Sequence, residues 1–145
     1  MARDDLDRRL ISRLQANARE STAALARQLG VARTTVLARL ARLEREGTVV
    51  GYTVRLAADE GEAGVQAYVG VVTDPKKGRD VTRRLTALPE LRQLCSVSGE
   101  FDYMALLRAE STARLDALLD EIGAIDGVAR TTTSVVLAVR VDRRA

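Results

Sequence analysis

The sequence predicts an α+β chain in two parts, a helical unit followed by a sheet unit, and three features carry that expectation. Up to about residue 55 apolar residues recur at helical spacing, punctuated by Gly30 and Gly47. Residues 56–64, LAADEGEAG, have no hydrophobic period and read as a linker. Over residues 65–145, strand-like alternation and helix-like periodicity take turns in the order βαββαβ.

The first helix is signalled by Leu6, Leu10, Ile11 and Leu14, spaced to bury one face, with Asp4, Asp5 and Asp7 near its positive N-terminal end. Ser21 is the expected N-cap of a second helix running to Leu29, where Gly30 turns the chain without steric strain. A third helix should follow from Arg33 to Glu46, because Val36, Leu40 and Leu43 fall at i, i+4 and i+7 and seat it on a core. Its opposite face then turns Arg33, Thr34, Thr35, Ala38, Arg39 and Arg42 to solvent: guanidinium forks, hydroxyls and one small residue, a set suited to phosphates and base edges in a major groove. Gly47 stops the helix, and Val49 to Val54 has the β-branched and aromatic residues of a short strand or hairpin, so residues 1–55 read as a winged helix-turn-helix.

Beyond the linker, Val65, Ala67, Val69 and Val71 alternate with Gln66, Tyr68 and Gly70, giving a strand that ends at Asp74 and Pro75. Val81, Leu85 and Leu88 mark a helix that Pro89 ends; Leu91 to Ser98 and Phe101 to Arg108 make two strands around a Gly99 turn. Ser111 caps a helix buried through Leu115, Leu118, Leu119 and Ile122, and Val128 to Val141 is a long β-branched run. This order is the ferredoxin-like arrangement, whose helices lie on one sheet face only. The other face needs a cover, and a second copy of the chain is the expected one.

Composition narrows the function. Residues 1–55 hold 11 basic and 6 acidic side chains, and the remainder 12 and 14, so a basic first part is joined to a mildly acidic second part. That asymmetry fits a chain of which only one half meets a polyanion. There is no histidine and a single cysteine, so metal sites, metal or other cofactors and an internal disulfide are not expected. Cys95 lies in an apolar strand-like run and reads as a buried core residue. No apolar stretch approaches the roughly 20 residues of a membrane span, and the charged start MARDDLDRRL is unlike a signal peptide, so a cytoplasmic location is expected.

With the motifs laid out, the chain resembles the Lrp/AsnC family, the leucine-responsive or feast/famine regulators. The resemblance rests on LDRRLISRLQANAR, on LARQLGVARTTVLARLARLEREGTVVGY and on SVSGEFDYMALLRAES, which is similar to the glycine-x-x-aspartate-tyrosine turn of the family's effector domain. It implies a homodimer joined through the C-terminal sheets, assembly of dimers up to octamers, and a small effector, commonly an amino acid, held between subunits. The sequence departs from the family at Ala32, where a serine N-cap is usual; losing a cap costs about 1 kcal/mol.

An amino-acid ligand presents a carboxylate and an ammonium, so its pocket needs N–H groups or a cation for one and oxygens for the other. In the turn, Gly99 exposes backbone, Glu100 and Asp102 offer acceptors, and Phe101 or Tyr103 offers a packing surface; Thr131, Thr132, Thr133 and Ser134 offer hydroxyls for a second wall. The alternative is that GEFDY is a tight turn with Asp102 bonding local backbone, and that the threonine run is ordinary strand chemistry.

The expected function is therefore sequence-specific regulation of transcription on duplex DNA. A dimer would present two third helices about 34 Å apart to successive major grooves, with Arg33, Thr34, Thr35 and Arg39 contacting bases or backbone and Arg19, Arg27 and Arg42 phosphates. Two other classes compete. An architectural DNA-compacting protein would bind broadly without an effector. A tetrapyrrole decarboxylase would share the layout, but those enzymes rely on histidine, and neither a nucleophile beside a base nor a glycine-rich phosphate loop is present.

Overall fold

A computed structural model describes residues 4–56 and 63–142 and divides the chain into two compact units at Leu56. Of the expected linker, residues 57–62 lie outside the described residues.

The first unit is built from α1 (Asp5–Ala16), α2 (Thr22–Leu29) and α3 (Arg33–Arg45). Asp4 caps α1 by accepting from the Asp7 N–H at 2.9 Å, and Ser21 caps α2 by accepting from the Ala24 N–H at 3.0 Å. Gly30 ends α2 in the left-handed region at φ 69°, with its N–H donating to the Ala26 and Arg27 carbonyls. The three helices close on Leu10, Leu14, Leu25, Leu29, Val36 and Leu43. At the start of α3 the N-cap is Ala32, without any side-chain bond.

The expected wing is not paired. Residues 50–56 carry no strand or turn assignment, with Val50 93% and Val54 76% exposed. A strand needs a neighbour for its backbone donors and acceptors, and none lies beside this segment among the described residues. The Tyr52 hydroxyl ties it to α3 by donating to Glu44 Oε1 at 2.8 Å.

The second unit comprises β1 (Val65–Thr73), α4 (Gly78–Thr86), β2 (Leu91–Ser96), β3 (Tyr103–Ala109), α5 (Thr112–Gly123) and β4 (Val128–Val135). The strands form one antiparallel sheet in the order β2-β3-β1-β4. Ala67, Val69 and Val71 of β1 and Ala105, Leu107 and Ala109 of β3 join Val81, Leu85, Leu115, Leu118 and Ile122 in a single core, so both helices cover the same sheet face.

Period-two alternation puts the intervening residues on the far face, in rows fixed by register. One row is Cys95, Met104, Gly70, Thr132 and the next is Gln93, Leu106, Tyr68, Ser134. Cys95 is therefore exposed rather than buried: Leu91 and Leu94 turn to the helices, and the cysteine, one residue on from Leu94, points the other way. The final run also departs from expectation, because strand pairing stops at Val135 and Leu137 is 95% exposed. No helix among the described residues is long and apolar enough to cross a membrane.

Candidate functional site

In the first unit the order α2, Gly30 turn, α3 sets a helix across the end of a short one, with Arg27 and Arg33 facing a shallow hollow. That hollow, about 490 Å³, is lined by Ala23, Ala26, Arg27, Gly30, Val31, Ala32 and Arg33. Arg19, Arg27, Arg33, Thr34 and Ala38 are exposed and Thr35 is half-buried. Arg27 lies on α2 and Arg33, Thr34 and Ala38 lie on α3, exposed as expected, while Arg19 lies in the turn before α2.

Arg39 and Arg42 depart from that expectation. Arg39 Nη1 donates to Asp4 Oδ2 and, at 3.1 Å, to Asp7 Oδ1, while Arg42 Nη2 donates to Asp7 Oδ2 at 2.5 Å. Both guanidiniums are thus drawn sideways onto the first turn of α1 instead of joining the solvent-facing set. The cause is Asp7, which is only 1% exposed: a buried carboxylate is costly unless cations and hydrogen bonds satisfy it. Burial pushes the Asp7 carboxyl up, but hydrogen bonds from Arg42 and Arg39 outweigh it and hold the group below the usual aspartate range. Asp4 is lowered as well, first by its bond from Arg39 and then by its bond from the Asp7 N–H.

The sequence held a signal for this arrangement. Asp7, Leu10 and Leu14 fall at i, i+3 and i+7, so an acidic residue sits on the apolar stripe of α1 and needs a cation from a neighbouring element. Sequence reasoning also passed over Leu37, Ala41 and Arg45. Thr34, Ala38, Ala41 and Arg45 follow one another at intervals of four, three and four along α3, with Leu37 alongside, and all are exposed.

In the second unit the GEFDY turn connects β2 to β3, with Gly99 at φ 107°. Asp102 Oδ2 accepts from the Thr73 N–H at 2.8 Å, and the Asp102 N–H donates to the Val71 carbonyl at 2.9 Å. The carboxylate offered as a ligand group is thus already bonded, but to the backbone at the end of β1, 29 residues away, rather than to the local turn backbone of the alternative. Glu100 accepts from Arg130 Nη2 at 3.2 Å.

The two aromatic residues of the turn separate. Phe101 lies over Gly70 on the far face of the sheet, so close that a Cβ at Gly70 would stand 2.7 Å from the ring. Tyr103 joins the helix-side core, its hydroxyl 3.0 Å from where a Cβ on Gly78 would be. The hydroxyl wall divides in the same way: Thr132 and Ser134 pair with Gly70 and Tyr68 on the far face, while Thr131 and Thr133 pair with Val71 and Val69 on the helix face. The structure therefore brings Phe101 and Thr132 together beside Gly70, with the Glu100 and Arg130 pair linking the same turn to β4. It does not bring Tyr103, Thr131 or Thr133 to that surface.

Comparison with known proteins matches each unit to a domain family. Residues 4–44 match the model of the AsnC-type helix-turn-helix domain, and residues 66–145 that of the Lrp/AsnC ligand binding domain. An uncharacterized HTH-type transcriptional regulator of Pyrococcus horikoshii is 33% identical over 136 residues, covering 91% of each chain. The HTH-type transcriptional regulator LrpA of Mycobacterium tuberculosis is 34% identical over 137 residues, covering 94% of this chain and 91% of that one. The solved structure of a feast or famine regulatory protein from M. tuberculosis complexed with L-methionine superposes with a TM-score of 0.86 at 32% identity, covering 99% of this chain and 98% of the other.

Proposed function

The chain belongs to the Lrp/AsnC family of transcriptional regulators, with a helix-turn-helix domain and a ligand-binding domain, and from that premise we propose that it recognises specific operators as a homodimer and answers to an amino-acid effector. The observation that carries the DNA half is the exposure of Arg27, Arg33, Thr34 and Ala38 on the second and third helices of a basic unit. Arg19, Arg27 and Arg33 contact phosphates, and Thr34 meets the groove at the start of α3. Arg39 and Arg42 act indirectly, by fixing α3 against α1.

The dimer forms through the far face of the sheet, where Tyr68 is 42% exposed and Thr132 and Ser134 stand beside it. Support for an amino-acid effector comes from the L-methionine complex of the M. tuberculosis protein and from the Phe101, Gly70 and Thr132 surface next to the Glu100 and Arg130 pair. There the backbone of the Gly99 turn and Arg130 receive the ligand carboxylate, Glu100 its ammonium, and Phe101 its side chain. Assembly of dimers into larger rings completes the proposal.

Fluorescence anisotropy with DNA from the neighbouring promoters, repeated over a salt series and with each common amino acid, tests this reading. Affinity should fall steeply as salt rises, and at least one amino acid should change affinity or assembly. A flat salt response with no preferred sequence would remove the regulator assignment, and calorimetric silence toward every amino acid would remove the effector.

A further inference from the structure

We propose that α3 reads its operator through thymine methyl groups, with Leu37 as the reader and Ala38 and Ala41 as the low surface that lets the helix approach the bases; this rests on the DNA-binding reading above. The outer face of α3 is unusual for a basic helix. Its exposed line of Thr34, Ala38, Ala41 and Arg45 carries two bare methyl groups at its centre, and beside them Leu37 is 51% exposed.

The arginines best placed by sequence to fork onto guanine are committed elsewhere. Arg39 bonds both Asp4 and Asp7, and Arg42 bonds Asp7. Turning them outward would leave a carboxylate that is 1% exposed without its cations. Arg33 and Arg45 remain on the outer side, at opposite ends of the helix. Twelve residues of helical rise separate them by roughly 18 Å, so they suit phosphates flanking the site rather than a shared base pair.

Among the described residues Leu37 belongs neither to the buried cluster around Leu10, Leu25 and Leu43 nor to the half-buried residues packed on it. The one apolar group that B-form DNA displays in its major groove is the thymine C5-methyl. A leucine flanked by alanines, set between two arginines in a positively charged unit, is complementary to A·T pairs lying between phosphates. The occupant of this face is therefore duplex DNA with thymines under the helix centre, not a protein partner.

The test begins with enrichment of a random duplex library on the full-length protein. The enriched duplex is then made with thymine or with uracil in each half-site, and both are titrated against the native chain and Leu37→Ala. Uracil should weaken the native chain about threefold to tenfold, the scale of one or two buried methyl groups, and leave Leu37→Ala indifferent. Thermal unfolding should be unchanged in the variant, since half of the side chain is already in solvent.

A native chain that binds uracil and thymine duplexes equally overturns the proposal, as does a Leu37→Ala variant still as sensitive to uracil as the native chain. So does a variant that changes oligomeric state in light scattering while DNA affinity stays the same, which would make Leu37 a protein contact. Failure to enrich any duplex removes the DNA-binding reading and this inference with it; an enriched duplex indifferent to uracil removes the methyl readout alone.

Discussion

Asp7 in α1 and Arg42 in α3 meet at 2.5 Å, with the carboxylate almost fully out of solvent and its second oxygen taken by Arg39 at 3.1 Å. Through this contact the first helix orients the third. The helix proposed to face DNA is held by charge as well as by its apolar stripe.

Replacing Asp7 with asparagine keeps the shape and removes the charge. The substitution should cost the N-terminal unit about 2 kcal/mol, below the range for a fully buried pair because both arginines are partly in water. Acid sensitivity should change with it. The folded Asp7 titrates below its ordinary value of 3.8, so its contribution is complete above that pH and is lost as pH falls through the lower folded value. Urea unfolding from about pH 6 to about pH 2, across and below the ordinary aspartate value of about 4, checks this: the native chain should lose stability toward acid more steeply than Asp7→Asn, and parallel curves would contradict the assignment.

Ala32 begins α3 without a side-chain cap, although its backbone is extended as a capping residue requires. Ala32→Ser should therefore stabilise the unit by about 1 kcal/mol, read as a rise in thermal midpoint. An unchanged midpoint would mean that the α3 amides are already satisfied.

Asp102 supplies the acceptor for the Thr73 N–H, and Thr73 is only 8% exposed. Asp102→Ala leaves that donor unmet and should lower stability by about 1–3 kcal/mol. Chemical denaturation with and without amino acids separates the two roles: a loss seen equally in both belongs to the fold, and a loss seen only with ligand would return Asp102 to the binding surface.

Gly70 is a glycine because the Phe101 ring occupies the space of its side chain. A methyl there must displace the ring, so Gly70→Ala should cost about 1–3 kcal/mol and weaken both dimerisation and ligand binding. Light scattering and calorimetry on the variant check this. A variant with native stability and native assembly would show that Phe101 moves aside without penalty.

Much of the architecture was legible in the sequence because it depends on local periodicity and on residues with strong positional chemistry. Ser21 and Ser111 accept from the amides they were expected to cap, Gly30 adopts the left-handed turn, and Ala67, Val69 and Val71 fill the core by simple alternation. Other features are relations between distant segments, and only tertiary structure decided them. Whether Arg39 faces water or Asp7 depends on how two helices pack; which threonines share a surface with Phe101 depends on sheet register; and the residues expected to form a wing stay unpaired because no strand among the described residues supplies them with ladder bonds. A sequence states the period and chemistry of each element, but charge pairing and strand pairing are properties of two elements at once.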